Sequence, residues 1–578
     1  MTTLKAFFKA LNDEESEIVP VLADDNIGWI MRCAINELDW YYYNYSNSDK
    51  PSEEEQEQLY ILQIGTARLI KLALENRESF DAPVLTFRRN ADLSKRSLSI
   101  AFALGMIQHG RRVAQTVFNG IGVIKQIDIN EFSITLPVEI EDDGFHERSL
   151  REHYNRESRL QFSVLTSLQE WKEMEDKVDN KLRELVYPFM DHFIGYESDP
   201  ILDEYFFALA THEISLQEGY DTYHYLLEFG GIKIQHYMLA LKFMVSTCIR
   251  HSRCSNVLVE KHPEIRLEDI LTISADVKPY IESLRDAVNY FGALYDGFSE
   301  ITLEQASKIF EVLTYSRDNL NLIDPPGSPH PIFIRNSETG LIKGLFGAHS
   351  EPVRYLLESL RFHFPKDYDK NQASREMSFQ RACIRVLNDT YSGLSYLENI
   401  KIRLSGRVLS DIDLVVLEKR TGTILLIQLK HQELYGADIH AKSVRSKRLN
   451  KQIDIWMDTV NRWSSEVGNE GIKVAMGLEN DWPKDLHIFR IALSRHFAHS
   501  LNSIKLGEDT AFATWPQFFN SNQIVKRDYS DPMLKDLVSL LRDQQEKSEK
   551  ITHLEEPTTQ WKIGNLTFST MQEAAECT

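Results

Sequence analysis

The sequence predicts a mixed fold, with a large, mainly α-helical N-terminal region followed by a C-terminal α/β unit. Three observations carry this prediction. From Met1 to about Asp324 apolar residues recur at helical spacing. The run Asp324 to Pro331 holds four prolines and a glycine and cannot continue a helix. Beyond Ala373 the pattern changes to helix, two strands, helix and further strand-like runs.

The helical reading rests on shared faces. Leu59, Leu62, Leu69, Ile70 and Ala73 fall on one face, as do Ala306, Ile309, Phe310 and Leu313. Thr302 and Gln305 have the spacing of a capping box before the second group. The main exception is Val123 to Ile140, where VIKQIDI and FSITLPV alternate about Asn130-Glu131 and predict a hairpin packed on the helices. A helix is expected near Pro352 to Phe364, and strands at His487 to Leu493 and Ala511 to Trp515. After Leu541 the stretch RDQQEKSEK reads as a solvated helix end or linker, with room for a short structured tail at Trp561 to Met571. The predicted division is a helical recognition or regulatory region (1–324), a linker with a connecting helix (325–372), an α/β domain (373–541) and a charged tail (542–578).

Composition narrows the function classes. A chain of 578 residues, 42% hydrophobic and 26% charged, has the makings of several globular cores. Its five scattered cysteines do not form a disulfide framework and fit a reducing cytoplasm, the expected location. The start MTTLKAFFKALNDEESE lacks the pattern of a secretory signal. The longest apolar run, Tyr237 to Ile249, contains Lys242 and is shorter than the about 20 residues a bilayer demands, so no membrane partner is expected. A net charge of -21 argues against coating nucleic acid with the whole surface, so any such contact is local. With no Walker-type loop and no dinucleotide fingerprint, an ATP-driven motor is not expected within the chain.

The informative stretch is Ser410-DIDLVVLEKRTGTILLIQLK-His431. Side chains alternate along a strand, so Asp411 and Asp413 share one side, and Gln428 and Lys430 share one side of the next strand. A turn at Lys419 to Gly422 sets Asp413 opposite Gln428 and Asp411 opposite Lys430, while Ile412, Leu414, Leu425, Ile427 and Leu429 face a core. An Asp carboxylate and a Gln amide oxygen make a partial shell for Mg²⁺, a hard cation that takes oxygen ligands. Lys430 adds a positive charge that can orient the attacking water, lower its pKa or stabilise charge developing on a phosphate. Asp411 is read either as a further ligand or as an exposed partner of a basic neighbour.

Asp, strand, turn and then Gln-x-Lys on a second strand resembles the PD-(D/E)XK nuclease superfamily, in particular its Mrr-type restriction endonucleases, where glutamine often replaces the acidic residue. The resemblance covers less than a third of the chain. It implies a restriction-endonuclease-like fold for the α/β unit, Asp413 and Gln428 as metal ligands, and Lys430 as the catalytic lysine. The family tends to place a glutamate on the preceding helix, here REMSFQRACIRVL, which makes Glu376 the candidate additional ligand; a solvated first-turn glutamate is the competing reading. The following helix places Leu449, Ile453, Trp456 and Val460 at core spacing, and Gln452 stands where relatives carry a supporting polar residue.

Between Ala441 and Lys451 stand Lys442, Arg445, Lys447, Arg448 and Lys451 with no acidic residue, a phosphate-binding patch in an acidic protein. Cys248, His251, Cys254 and His262 have superficially zinc-like spacing, but Cys248 ends an apolar helical run and no Cys-x-x-Cys knuckle is present, so packing is preferred. His487, His496 and His499 match no nucleophile or metal pattern. The expected function is Mg²⁺- or Mn²⁺-dependent endonucleolytic hydrolysis of phosphodiester bonds, on DNA before RNA. The resemblance implies bacterial defence against foreign DNA, the helical region controlling access, recognition or assembly with a partner subunit. Double-strand cutting needs two sites, which a homodimer or higher oligomer would supply. The competing class is a degenerate nuclease fold that binds nucleic acid or serves as a scaffold without cutting.

Overall fold

The computed structural model describes residues 2–22, 27–48, 50–77, 90–120, 122–137, 160, 162–218, 223–323, 328–431, 439–479, 481–495, 507–548 and 558–573. The fold is mixed. Helices Glu53–Asn76 and Ala91–Phe118 cross where Gly65 meets Gly105. A Cβ on Gly65 would lie 1.8 Å from the Ala101 carbonyl oxygen, so only glycine permits this approach. The expected helical faces are buried, Leu62, Leu69, Ile70 and Ala73 in one helix with Leu59 partly so, and Ala306, Ile309, Phe310 and Leu313 in another, with the Thr302–Gln305 capping box formed. Among the described residues no helix is long and apolar enough to cross a membrane.

The segment expected to be a linker with a connecting helix, 325–372, holds that helix at Pro352–His363, and from residue 328 onward it also adds strands and core residues to the helical body. Strands Phe333–Arg335 and Gly340–Lys343 form a sheet with Ile273–Asp276 and Thr314–Tyr315. Ile332, Phe333, Leu341, Phe346, Tyr355, Leu360 and Tyr368 join the same core as the preceding helices. Residues 324–327 of the proline-rich run lie outside the described residues, and the apolar residues flanking it, Leu322, Ile323, Ile332 and Phe333, enter the core. In the charged tail, helix Leu534–Ser548 runs past Leu541 as the expected helix end, and the structured segment expected at Trp561 to Met571 is a hairpin of Thr559–Ile563 and Leu566–Glu573. Leu566–Glu573 runs parallel to Glu131–Pro137, itself paired with Val123–Asp128, and Ile563, Leu566 and Phe568 pack against Phe7, Leu11 and Phe132. Residues 138–140 of the expected N-terminal hairpin lie outside the described residues.

The C-terminal unit comprises α1 (Pro365–Thr390), β1 (Leu394–Leu404), β2 (Arg407–Glu418), β3 (Thr423–Lys430), α2 (Ile439–Ala475), β4 (His487–Ser494), β5 (Thr510–Thr514), α3 (Trp515–Asp528) and α4 (Leu534–Ser548). The strands form one sheet in sequence order, antiparallel from β1 to β3 and parallel from β3 to β5. Strand β1 is additional to the two expected before the long helix. Glu398, Lys401 and Arg403 are exposed along this edge strand, charges that protect its outer edge and mask its pattern. Trp515, expected to end a strand, instead begins α3, because Thr514 and Gln517 form a capping box. The expected boundary at 373 falls inside the continuous helix α1, whose Tyr368 belongs to the N-terminal core and whose Phe379, Cys383, Val386 and Leu387 belong to the sheet.

Central strand β3 is buried on both faces. Leu425, Ile427 and Leu429 pack toward α1, α3 and α4, whereas Ile424 and Leu426 pack toward α2 with its Leu449, Ile453, Trp456 and Val460. This sandwich fixes which ends of β2 and β3 are left to carry polar groups.

Candidate active site

The site starts from the β2–β3 turn. Strand β2 ends at Glu418 and β3 begins at Thr423, leaving the expected four-residue turn, closed by Gly422 N donating to the Lys419 carbonyl at 3.2 Å. Gly422 has φ of 68°, a conformation that glycine adopts without strain. The ladder runs from Glu418↔Thr423 to Leu414↔Ile427, one step short of the expected Asp413–Gln428 pair. It stops there. The Asp411–Lys430 pairing expected beyond that pair is likewise not part of the ladder, and Asp411 is exposed.

Beyond Leu414 the strands part, and a side chain replaces the main chain: Leu429 N donates to Asp413 Oδ2 at 2.7 Å. On the other side, Glu398↔Leu414 and Ile400↔Ile412 bracket Asp413, and the intervening Asn399 has φ of 54°. Ile412 packs with α2 while Leu414 packs with α1, although residues two apart on a regular strand share a face. Strand β2 therefore rotates at Asp413. Its carbonyl accepts from Gln380 Nε2 of α1 at 2.5 Å, and the Asp411 carbonyl accepts from Trp456 Nε1 of α2 at 3.0 Å.

Burial pushes the Asp413 carboxyl up to about 6, against the lowering effects of the Leu429 amide and the Lys430 cation. Asp411 and then Glu376 raise it further, so both stand in its field. Gln428 is buried and its Oε1 has no hydrogen-bond partner among the described residues. Lys430 is half-buried, and its carbonyl accepts from Arg495 N at 2.9 Å. Glu376 is exposed on α1, one helical turn before Gln380.

An ionisable carboxylate, an amide oxygen lacking a donor and a second carboxylate nearby form an all-oxygen set suited to a hard divalent cation. Among the described residues, no three His, Cys, Asp or Glu side chains are gathered tightly enough to hold a metal ion. Asp413, Asp411 and Glu376 thus share a field without closing a cage of carboxylates.

Lys447, Arg448 and Lys451 are exposed on α2, as is Gln452; the side chains of Lys442 and Arg445 lie outside the described residues. The zinc-like group is accounted for by packing. His251 Nε2 contacts the Ile270 carbonyl at 2.6 Å, its Nδ1 lies 3.2 Å from the Tyr196 hydroxyl, and Cys248 Sγ donates to the Gly344 carbonyl at 3.6 Å. His487 opens β4, while His496 and His499 lie outside the described residues. Sequence reasoning assigned no site role to Gln380 or to Trp456, read only as core. The available signal was the i, i+4 placement of Gln380 after Glu376. No protein-family model, curated protein or solved structure matches this chain.

Proposed function

We propose that the C-terminal unit is a restriction-endonuclease-like domain that hydrolyses phosphodiester bonds, preferentially of DNA, with Mg²⁺ or Mn²⁺. The observation that carries this reading is the parted end of β2 and β3, where desolvated Asp413 and a Gln428 oxygen with no donor among the described residues lie beside Lys430. When bound by Asp413, Gln428 and Glu376, the divalent ion supplies Lewis acidity toward the phosphate and lowers the pKa of bound water. The chain's own groups do the rest. Hydrogen bonding to Leu429 N fixes one Asp413 oxygen and leaves the other for a ligand. Lys430 orients the attacking water or donates to a phosphate oxygen as charge develops there. Lys447, Arg448 and Lys451 hold the flanking phosphates in an otherwise acidic protein.

The reading extends to defence against foreign DNA, with the helical body governing access or assembly and a second copy supplying the second cut. A binding-only domain is the competing reading, favoured by one observation: neutral Gln428 stands among carboxylates that do not close a metal cage. The test is incubation of purified protein with supercoiled, linear and single-stranded DNA and with RNA, in Mg²⁺, Mn²⁺ or EDTA, beside Asp413→Ala and Lys430→Ala. Metal-dependent cutting lost in both variants supports catalysis and identifies the substrate. Binding without cutting, equal in all three proteins, supports the competing reading.

A further inference from the structure

We propose that Gln380 and Trp456 are positioning residues that hold the β2–β3 fork open from opposite faces of the sheet, an inference that rests on the nuclease reading. A parted strand exposes main-chain groups that must find other partners when buried. Here three such groups are satisfied by side chains. The Asp413 carbonyl takes Gln380 Nε2 from α1, the Asp411 carbonyl takes Trp456 Nε1 from α2, and Leu429 N takes the Asp413 carboxylate.

The two donors act on the carbonyls of Asp411 and of Asp413, the residue at which β2 changes face. Both side chains are about 4% exposed, so water is a poor substitute for either bond. Without the donors, β2 must shift to satisfy its carbonyls, and the Asp413 carboxylate moves with it. Gln380 also lies one turn after Glu376, so the bond to Asp413 sets the height of that glutamate above the strand. Helix α1 is itself held by the N-terminal body, where Asn371 Nδ2 donates to the Glu228 carbonyl and Gln372 Nε2 to the Tyr223 hydroxyl, each at 3.0 Å. The placement of Glu376 is thus shared between the two bodies.

Gln380→Met and Trp456→Phe remove each donor while keeping most of the side chain's bulk. In the full-length protein two readouts are taken: plasmid cleavage as a function of Mg²⁺, and hydrogen exchange of the backbone at 428–430. Each variant is expected to need roughly tenfold more Mg²⁺ for half-maximal cleavage, as loss of an outer-shell partner does, with the KM for DNA unchanged. The Leu429 amide exchanges faster in both, because its carboxylate acceptor is no longer held. Gln380→Glu, which opposes an acceptor to the carbonyl, is expected to do worse than Gln380→Met. Wild-type Mg²⁺ dependence and wild-type exchange in Gln380→Met and Trp456→Phe, with only a lowered Tm, would reduce both residues to core packing and overturn the proposal. A wild-type protein that cuts no substrate overturns the nuclease reading instead, and the exchange of Leu429 then decides the clamp alone.

Discussion

Asp39 in the helical body and Asp413 in the C-terminal sheet are both carboxylates that burial pushes up to about 6, yet their surroundings differ. Asp39 Oδ1 accepts from Leu345 N and Phe346 N, both at 2.9 Å, Oδ2 accepts from Thr272 Oγ1 at 2.6 Å, and Arg32 supplies a neighbouring positive charge. Every demand of that group is met within the fold. Asp413 accepts from Leu429 N, stands in the field of Asp411 and Glu376, and lies beside the strand end that carries Gln428, whose buried oxygen has no donor among the described residues. A raised carboxylate alone therefore does not mark a site. Incomplete satisfaction beside converging polar groups does.

The largest expected difference is in activity. Asp413→Ala and Lys430→Ala are each expected to lower the cleavage rate on the order of 10²–10³-fold, while Asp39→Ala leaves the rate per folded molecule unchanged; single-turnover cleavage checks this. Stability reverses the order. Asp39→Ala leaves the Leu345 and Phe346 amides without their acceptor and is expected to cost about 3–5 kcal/mol in denaturant unfolding, whereas Asp413→Ala relieves a buried charge and costs less.

The pH dependence sharpens the comparison. Each carboxyl has a folded pKa above its unfolded value, so its contribution to stability is fully present below about 4 and lost as pH rises through about 6. For fully enclosed Asp39 the change is about 3 kcal/mol, and for Asp413, which is only partly buried, it is smaller. Asp39→Asn and Asp413→Asn should each flatten the unfolding free energy between pH 4 and 6. At pH 7, Mg²⁺ should raise the Tm of wild type and Asp39→Asn but not of Asp413→Asn. The smallest effect is on the basic helix, where Lys451→Ala should lower the slope of log affinity for DNA against log salt by about 1.

What was legible in the sequence was local. Alternation along β2 and β3 and the turn at Gly422 give the register up to Leu414↔Ile427, and helical spacing gives the faces of α1 and α2. What was hidden was non-local or inverted in pattern. Edge strand β1 carries charges where a buried strand carries apolar residues. The pairing of Leu566–Glu573 with Glu131–Pro137 joins segments more than 400 residues apart, and neither strand alone specifies its neighbour. The ladder stops after Leu414, where two side chains from separate helices take the carbonyls of Asp413 and Asp411, so alternation predicted a fourth converging group where the fork leaves Asp411 exposed.

The most direct test of the central claim pairs metal binding with cutting in one variant: Mn²⁺ binding and plasmid cleavage are measured for wild type and Lys430→Ala. The account predicts that both proteins bind Mn²⁺ with similar affinity and only wild type cuts, because Lys430 serves the reaction rather than the ligand shell. Cleavage by Lys430→Ala at the wild-type rate would contradict it.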